Sequence, residues 1–113
     1  MNFPSQLDFL ETFGVEPVEV DLDWSYCEYC LYMDEKLQLN FGFSVVTHTF
    51  LVVLKYESHE IVRLNSENLE TIKFQKTEKG KGLQLKFKSN ETDSIVEITV
   101  DPFPHCSWRS LVK

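Results

Sequence analysis

The sequence contains the motif Cys27-x-x-Cys30, and two cysteines at this spacing could bind a metal or carry out redox chemistry. The flanking alternation predicts a strand, in which residues three apart point to opposite faces, so the two thiols should diverge. A zinc site would need two more ligands, and the adjacent pair His105-Cys106 is poorly suited to bind one ion. We therefore expect no metal and no cofactor, with Cys27 in the core and Cys30 on the outer face.

The histidines His48, His59 and His105 could supply general acid–base catalysis. They lie at predicted strand starts and turns, and no recognisable motif places a Ser or Cys nucleophile beside them. We predict no catalytic residues and a protein that is not an enzyme. The catalytic alternative, which includes a nuclease built on two histidines and a lysine, requires these side chains to converge near a carboxylate in a cleft.

Six lysines between Lys73 and Lys88 could contact phosphate groups. The Gly80-Lys81-Gly82 stretch lacks the spacing of a phosphate-binding loop and is not followed by a predicted helix. Lysines also protect an exposed sheet edge from pairing, which explains the cluster without a ligand. Because the chain has a net charge of −7, we predict neither nucleic acid nor a membrane as partner.

The acidic residues are concentrated at the start of the chain. Residues Met1–Glu35 contain nine acidic side chains and no Lys or Arg, whereas the remainder carries a charge of +2. The acids are interleaved with Trp24, Tyr26, Tyr29 and Tyr32, and Tyr and Trp are residues that interfaces use as anchors. Clustered carboxylates steer a basic partner. The alternative is that these acids only solubilise an outer face.

The segment Ser5–Phe13 is predicted to form the one helix that must position this region. Ser5 is a good N-cap, Asp8 completes a capping box, and Gly14 supplies the C-terminal stop. Phe9, Leu10 and Phe13, with Leu7 nearer the edge, form an apolar stripe. Because a helix this short is not stable alone, we expect it to lie against a sheet.

The acidic region is itself predicted to form β-strands. Val18–Leu22 alternates, with Glu19 and Asp21 on one side, and Tyr26–Met33 turns at Asp34-Glu35-Lys36 into Leu37–Phe43. The predicted inward pairs are Met33 with Leu37, Leu31 with Leu39, Tyr29 with Phe41, and Cys27 with Phe43. If Val18–Leu22 pairs with Cys27–Leu31, Asp21 stands opposite Glu28. Like charges across a sheet cost stability, which favours a binding role for them.

The rest of the chain continues as short strands. The predicted ranges are His48–Lys55, Ile61–Leu64, Leu69–Gln75, Leu83–Lys88 and Val96–Val100. Leu85 opposite Ile98 and Lys86 opposite Glu97 would close a second hairpin. The prolines of Asp101–Trp108 should end the sheet, and Trp108, Leu111 and Val112 should fold back as a short helical turn. The predicted fold class is α+β, mainly antiparallel β, with one N-terminal helix and about seven antiparallel strands in a twisted sheet or small sandwich.

The length and the cysteine count indicate the number of domains and the cellular compartment. At 113 residues the chain, residues 1–113, is predicted to form a single domain. Three cysteines cannot make a fully paired disulfide framework, and the start lacks the features of a signal peptide. We expect a cytoplasmic protein with reduced thiols.

With its acidic run Glu16–Glu35, alternating strands Tyr26–Phe43 and closing segment Asp101–Trp108, the chain resembles the bacterial immunity proteins, which neutralise a cognate interbacterial toxin. The resemblance implies one-to-one binding of a basic toxin, often a nuclease, by plugging its active site or blocking an exosite. The predicted partner-binding residues are Glu19, Asp21, Asp23, Trp24, Tyr26, Glu28, Tyr32 and Asp34. Two further functions stay open: a module that binds a small-molecule ligand in a pocket lined by Tyr and Phe, and a structural homodimer.

Overall fold

The computed structural model describes residues 3–32, 35–78, 80–102 and 105–112, which form one helix and nine antiparallel strands. The elements are α1 Gln6–Phe13, β1 Glu19–Asp21, β2 Tyr26–Tyr32, β3 Leu37–Ser44, β4 Thr49–Tyr56, β5 His59–Ser66, β6 Leu69–Thr77, β7 Gly80–Lys88, β8 Thr92–Pro102 and β9 His105–Val112. The predicted fold class is confirmed, with nine described strands where about seven were expected. No helix in these ranges is long and apolar enough to cross a membrane.

The strands form two sheets, each a simple meander. The first has the order β1-β2-β3-β4-β5 and the second has the order β6-β7-β8-β9. Contacts divide the chain into two compact units. One unit is Ser5–Glu67, which contains α1 and the first sheet. The other consists of the residues from Asn68 onward together with the first four residues, and it contains the second sheet. The single domain that the sequence predicted stays a prediction.

Helix α1 has the predicted caps and lies against the first sheet. The Ser5 Oγ accepts a hydrogen bond from the Asp8 N–H at 3.1 Å, the Asp8 carboxylate accepts one from the Ser5 N–H at 2.8 Å, and Gly14 ends the helix in the left-handed conformation. Phe9 is fully buried and stacks on Tyr29 with ring centroids 4.2 Å apart. The apolar stripe is narrower than predicted, because Leu10 is 42% exposed.

The hairpin β2–β3 has the predicted register. Leu31 pairs with Leu39, Tyr29 with Phe41, and Cys27 with Phe43. The fourth expected pair involves Met33, which lies outside the described residues. Tyr29 and Phe41 are buried and stacked at 5.4 Å, so the aromatic face of the hairpin supplies the floor on which α1 rests.

The second sheet corrects two predictions. Strands β7 and β8 pair as expected, but Leu83 lies opposite Ile98 and Leu85 opposite Val96, so the register differs by two residues from the predicted one. The prediction for the end of the chain is wrong on both points: the sheet does not end at Asp101–Trp108, and residues 105–112 form its last strand, β9, rather than a helical turn. Val96 pairs with Trp108 in that strand, and the Trp108 ring stacks on Phe87 at 5.5 Å.

Candidate interaction site

Strand β1 is an edge strand whose pairing with β2 brings acidic side chains together. Glu19 lies opposite Glu28, and Asp21 lies opposite Tyr26. The predicted pairing of Asp21 with Glu28 is therefore wrong by two residues, but two carboxylates still face each other. Paired residues share a face of the sheet, so Glu19, Asp21, Tyr26 and Glu28 form one surface, here called the acidic face.

Tyr26 is fixed in this face by a glycine of the neighbouring strand. Gly42 is the β3 partner of Glu28, and a Cβ there would collide with the Tyr26 ring and hydroxyl. The ring lies across the bare glycine backbone, and its hydroxyl donates a 2.9 Å hydrogen bond to the Glu28 carboxylate. Gly42 thus lets Tyr26 lie flat and hold one carboxylate in place.

The charges around Tyr26 are mainly negative. Its pKa is raised, first by burial and then by the hydrogen bond to Glu28 and the charges of Glu28 and Glu19. The nearby cation is Arg63, which already forms two hydrogen bonds with Glu60, at 2.6 and 3.1 Å. Within the described residues, no Lys or Arg forms an ion pair with Glu19 or Glu28.

The turn between β1 and β2 presents the next two predicted residues. Asp23 donates its backbone N–H to the Asp21 carboxylate at 3.0 Å, and the Trp24 side chain is 57% exposed. Ser44, a buried residue at the end of β3, donates its hydroxyl to the Trp24 carbonyl at 2.6 Å. The turn is thereby attached to the sheet, and an aromatic ring projects beside the acidic face.

The structure brings together six of the eight predicted partner-binding residues. These are Glu19, Asp21, Asp23, Trp24, Tyr26 and Glu28. Tyr32 is the last residue of β2, six positions from Tyr26 and therefore roughly 20 Å along the strand. Its side chain, and the whole of Asp34, lie outside the described part of the chain.

The metal, redox and catalytic chemistries gain no support from the geometry. Cys27 and Cys30 both lie within the regular strand β2, where their side chains point to opposite faces, and burial raises the pKa of Cys27. His48 and His59 flank opposite ends of β4, an eight-residue strand, so they lie on the order of 25 Å apart. Among the described residues, no group of three or more His, Cys, Asp or Glu could hold a metal.

Two residues of this site were missed by sequence reasoning. Gly42 interrupts an otherwise alternating strand, and a strand glycine often marks the close approach of another group, so that signal was present. Arg63 lies on β5 and Glu28 on β2, and the strand order β2-β3-β4-β5 brings their charges close enough to interact. No local sequence pattern indicates that interaction.

The described residues form a mainly antiparallel β protein in which Glu19, Asp21 and Glu28 share one face of a sheet and Asp23 lies in the adjoining turn. No protein-family model matches the sequence, and no curated protein matches it. The fold is similar to that of a chain in the contact-dependent growth inhibition toxin–immunity protein complex from Klebsiella pneumoniae 342. The TM-score is 0.89, with 97% of this chain and 96% of that chain covered at 21% sequence identity.

At that identity the comparison establishes a shared fold. The resemblance to immunity proteins that the sequence suggested is thereby confirmed as a likeness of fold to a chain of a toxin–immunity complex.

Proposed function

We propose that this chain is a non-catalytic immunity protein that binds a cognate toxin and neutralises it in the cytoplasm. The observation that carries the proposal is the likeness of fold, over nearly the whole length of both chains, to a chain of a toxin–immunity complex. The acidic character of this chain supports the immunity role, because a net charge of −7 suits an inhibitor of a basic toxin such as a nuclease.

The acidic face and the turn beside it are the proposed toxin-binding surface. Glu19 and Glu28 would accept hydrogen bonds from Lys or Arg side chains of the toxin, with Asp21 and Asp23 extending the negative field. The exposed Trp24 would fill a pocket of the partner, as Trp commonly does at interfaces. Tyr32 and Asp34, which were also predicted to bind, are proposed to continue this surface.

The like-charge pair is the feature that a purely structural role explains least. Two carboxylates opposite each other destabilise a sheet, and no Lys or Arg of the described residues forms an ion pair with either of them, since nearby Arg63 is paired with Glu60. A basic side chain of a partner would relieve that repulsion on binding. The Tyr26 hydrogen bond would hold Glu28 ready, so less side-chain freedom would be lost when the complex forms.

The test is co-expression of the tagged chain with the C-terminal domain of each flanking gene product, followed by calorimetry across salt concentrations. We expect a tight one-to-one complex, and loss of toxin activity when it forms. Failure of every neighbouring product to bind would contradict the proposal. The mass of the free chain in solution tests the homodimer alternative in the same preparation.

Single substitutions test the surface itself. Glu28→Ala removes a carboxylate that would be desolvated in the complex, a change that commonly costs about 2–5 kcal/mol. We expect Glu28→Ala and Asp21→Ala each to weaken the complex at least tenfold, while Glu91→Ala, an exposed acid beyond the first sheet, leaves affinity unchanged. Wild-type affinity in both acidic-face variants would remove this face from the proposal.

A further inference from the structure

A shallow apolar groove lies beside the helix, away from the acidic face. It has a volume of about 430 Å³ and is lined by Gln6, Leu7, Leu10, Glu16 and Pro17. Leu7 and Leu10 stand three residues apart on α1, so they share a face of the helix, different from the one that buries Phe9. The Gln6 amide lies 3.7 Å from the Cys27 sulfur, which fixes the start of the helix to β2.

The apolar side chains of this groove are uncovered by the fold. Leu7 is 60% exposed, although a helix that only had to cover the aromatic floor would be polar there. The next chain segment continues the apolar surface, since Val18 and Val20 are also exposed. Val20 pairs with Cys27, so it lies on the helix side of the sheet, opposite to the acidic face.

The groove has an acidic border. Glu16 lines it, and exposed Glu11 stands one helical turn after Leu7. All of its lining residues come from the segment Met1–Glu35, which contains no Lys or Arg. An apolar groove with a negative rim selects its occupant by charge, because nucleic acid, an anionic membrane and a second copy of this acidic segment are all repelled.

We infer that this groove is a second docking site for the toxin, and that it takes a basic segment carrying large apolar side chains. The inference rests on the proposed function and names the chemistry of the partner. Aliphatic or aromatic side chains would enter between Leu7, Leu10 and Pro17, and neighbouring Lys or Arg would reach Glu11 and Glu16. The acidic face and the groove lie on opposite sides of β1, so the toxin would enclose this edge of the sheet.

The two surfaces should contribute differently to binding. The acidic face acts at long range and accelerates association, whereas apolar contacts form only at close range and slow dissociation. Removing the groove leucines should therefore raise the dissociation rate and leave both the association rate and its salt dependence unchanged. Substitutions at the exposed acids should instead change the association rate and its salt dependence.

The experiment compares wild type with the double variant Leu7→Ser/Leu10→Ser against the flanking gene's toxin domain by surface plasmon resonance. We expect dissociation at least tenfold faster, since burying even one leucine on binding is worth about a factor of ten. Leu111→Ser is the matched control, because Leu111 is an exposed leucine of β9. Hydrogen exchange should show protection of α1 and residues 14–18 in the wild-type complex.

The outcomes separate the inference from the function on which it rests. Absence of any complex with the wild-type chain would contradict the immunity role. A wild-type complex that the double variant forms with equal lifetime, with α1 unprotected, would overturn the groove inference and leave the immunity role standing. A free chain that dimerises, with the double variant monomeric, would assign the groove to a second copy and also overturn it. Thermal unfolding checks that both variants are folded.

Discussion

Glu19 on β1 lies opposite Glu28 on β2, and like charges directly opposite each other in a sheet tend to lower the stability of the free chain. Glu19→Gln keeps the size of the side chain and removes the repulsion, so we expect the free energy of unfolding to stay equal or rise by about 0.2–1 kcal/mol. Toxin affinity should fall at least tenfold in the same variant. Urea unfolding and calorimetry measure the two effects.

The combination of effects makes this prediction specific. Glu91→Gln, in an exposed residue of the second unit, should change neither stability nor affinity. A Glu19→Gln chain that was less stable than wild type would show that the carboxylate has a structural partner. Lower stability with unchanged affinity would assign the residue to the fold alone.

Gly42 controls the position of Tyr26, and a single methyl group should displace it. In Gly42→Ala the new Cβ would occupy the space of the Tyr26 ring and hydroxyl, so the ring must move and its hydrogen bond to Glu28 must break. Because the colliding atoms are the outer end of a side chain, we expect the fold to survive with a loss of about 1–3 kcal/mol. Spectrophotometric titration should find the pKa of Tyr26 lowered toward the ordinary tyrosine value.

A second variant isolates the effect of Gly42 on that hydrogen bond. Tyr26→Phe removes the hydroxyl and its bond but keeps the ring over Gly42, so it should lose affinity without the full stability loss of Gly42→Ala. Equal stability of Gly42→Ala and wild type, with an unchanged tyrosine titration, would contradict the close approach.

At the scale of elements, α1 covers Tyr29, and this contact should appear in the pH dependence of stability. Burial raises the pKa of Tyr29 to about 12, whereas a tyrosine of the unfolded chain releases its proton at about pH 10. The folded chain thus binds more protons in this window, so the free energy of unfolding should fall as pH rises from about 10 to about 12. Below this window the contribution of Tyr29 is fully present.

Tyr29→Phe tests that assignment because it keeps the ring and removes the proton. Urea unfolding between about pH 9 and about pH 11 should show a shallower loss of stability in Tyr29→Phe than in wild type. Identical slopes in both chains would mean that lysines and other groups carry the alkaline loss.

The elements that sequence predicted correctly are those with strong local rules. The capping box at Ser5 and Asp8 and the left-handed Gly14 define α1, and a strict apolar alternation fixes the register of Tyr29 against Phe41. Strand β1 has only three residues, so its pattern could not fix whether Asp21 or Glu19 faces Glu28. The final segment was assigned wrongly because β9 is defined by pairing with β8, which is not a local property.

The candidate site was predictable in composition and not in geometry. Charge and aromatic content pointed to eight residues between Glu19 and Asp34, and the structure places six of them on one face and one turn, while Asp34 and the Tyr32 side chain lie outside the described residues. The groove at Leu7 and Leu10 was not predicted. From the sequence alone, an apolar residue on a short helix is assigned to the core, and only the structure shows which face of the helix packs against the sheet. Gly42 is an intermediate case: a glycine within a strand indicates a close approach, but only the structure shows that the approaching group is the Tyr26 side chain.

At the scale of the whole molecule, charge is segregated along the chain, and this should determine how fast the toxin binds. The acids of residues 1–35 carry −9, while the rest, including the lysines of β6 and β7, carries +2. Raising ionic strength from about 0.01 M to about 1 M shortens the screening length from about 30 Å to about 3 Å. We expect the association rate to fall at least tenfold over that range, measured by stopped flow.

The lysines provide the control for this prediction. Lys76 and Lys81 lie directly opposite each other in β6 and β7, so Lys76→Gln should relieve repulsion as Glu19→Gln does. Because the proposed toxin surface lies in the other unit, this variant should keep the wild-type salt dependence, whereas Glu19→Gln should weaken it. A salt dependence lost in Lys76→Gln, or an association rate indifferent to salt in wild type, would move the toxin contact away from residues 1–35.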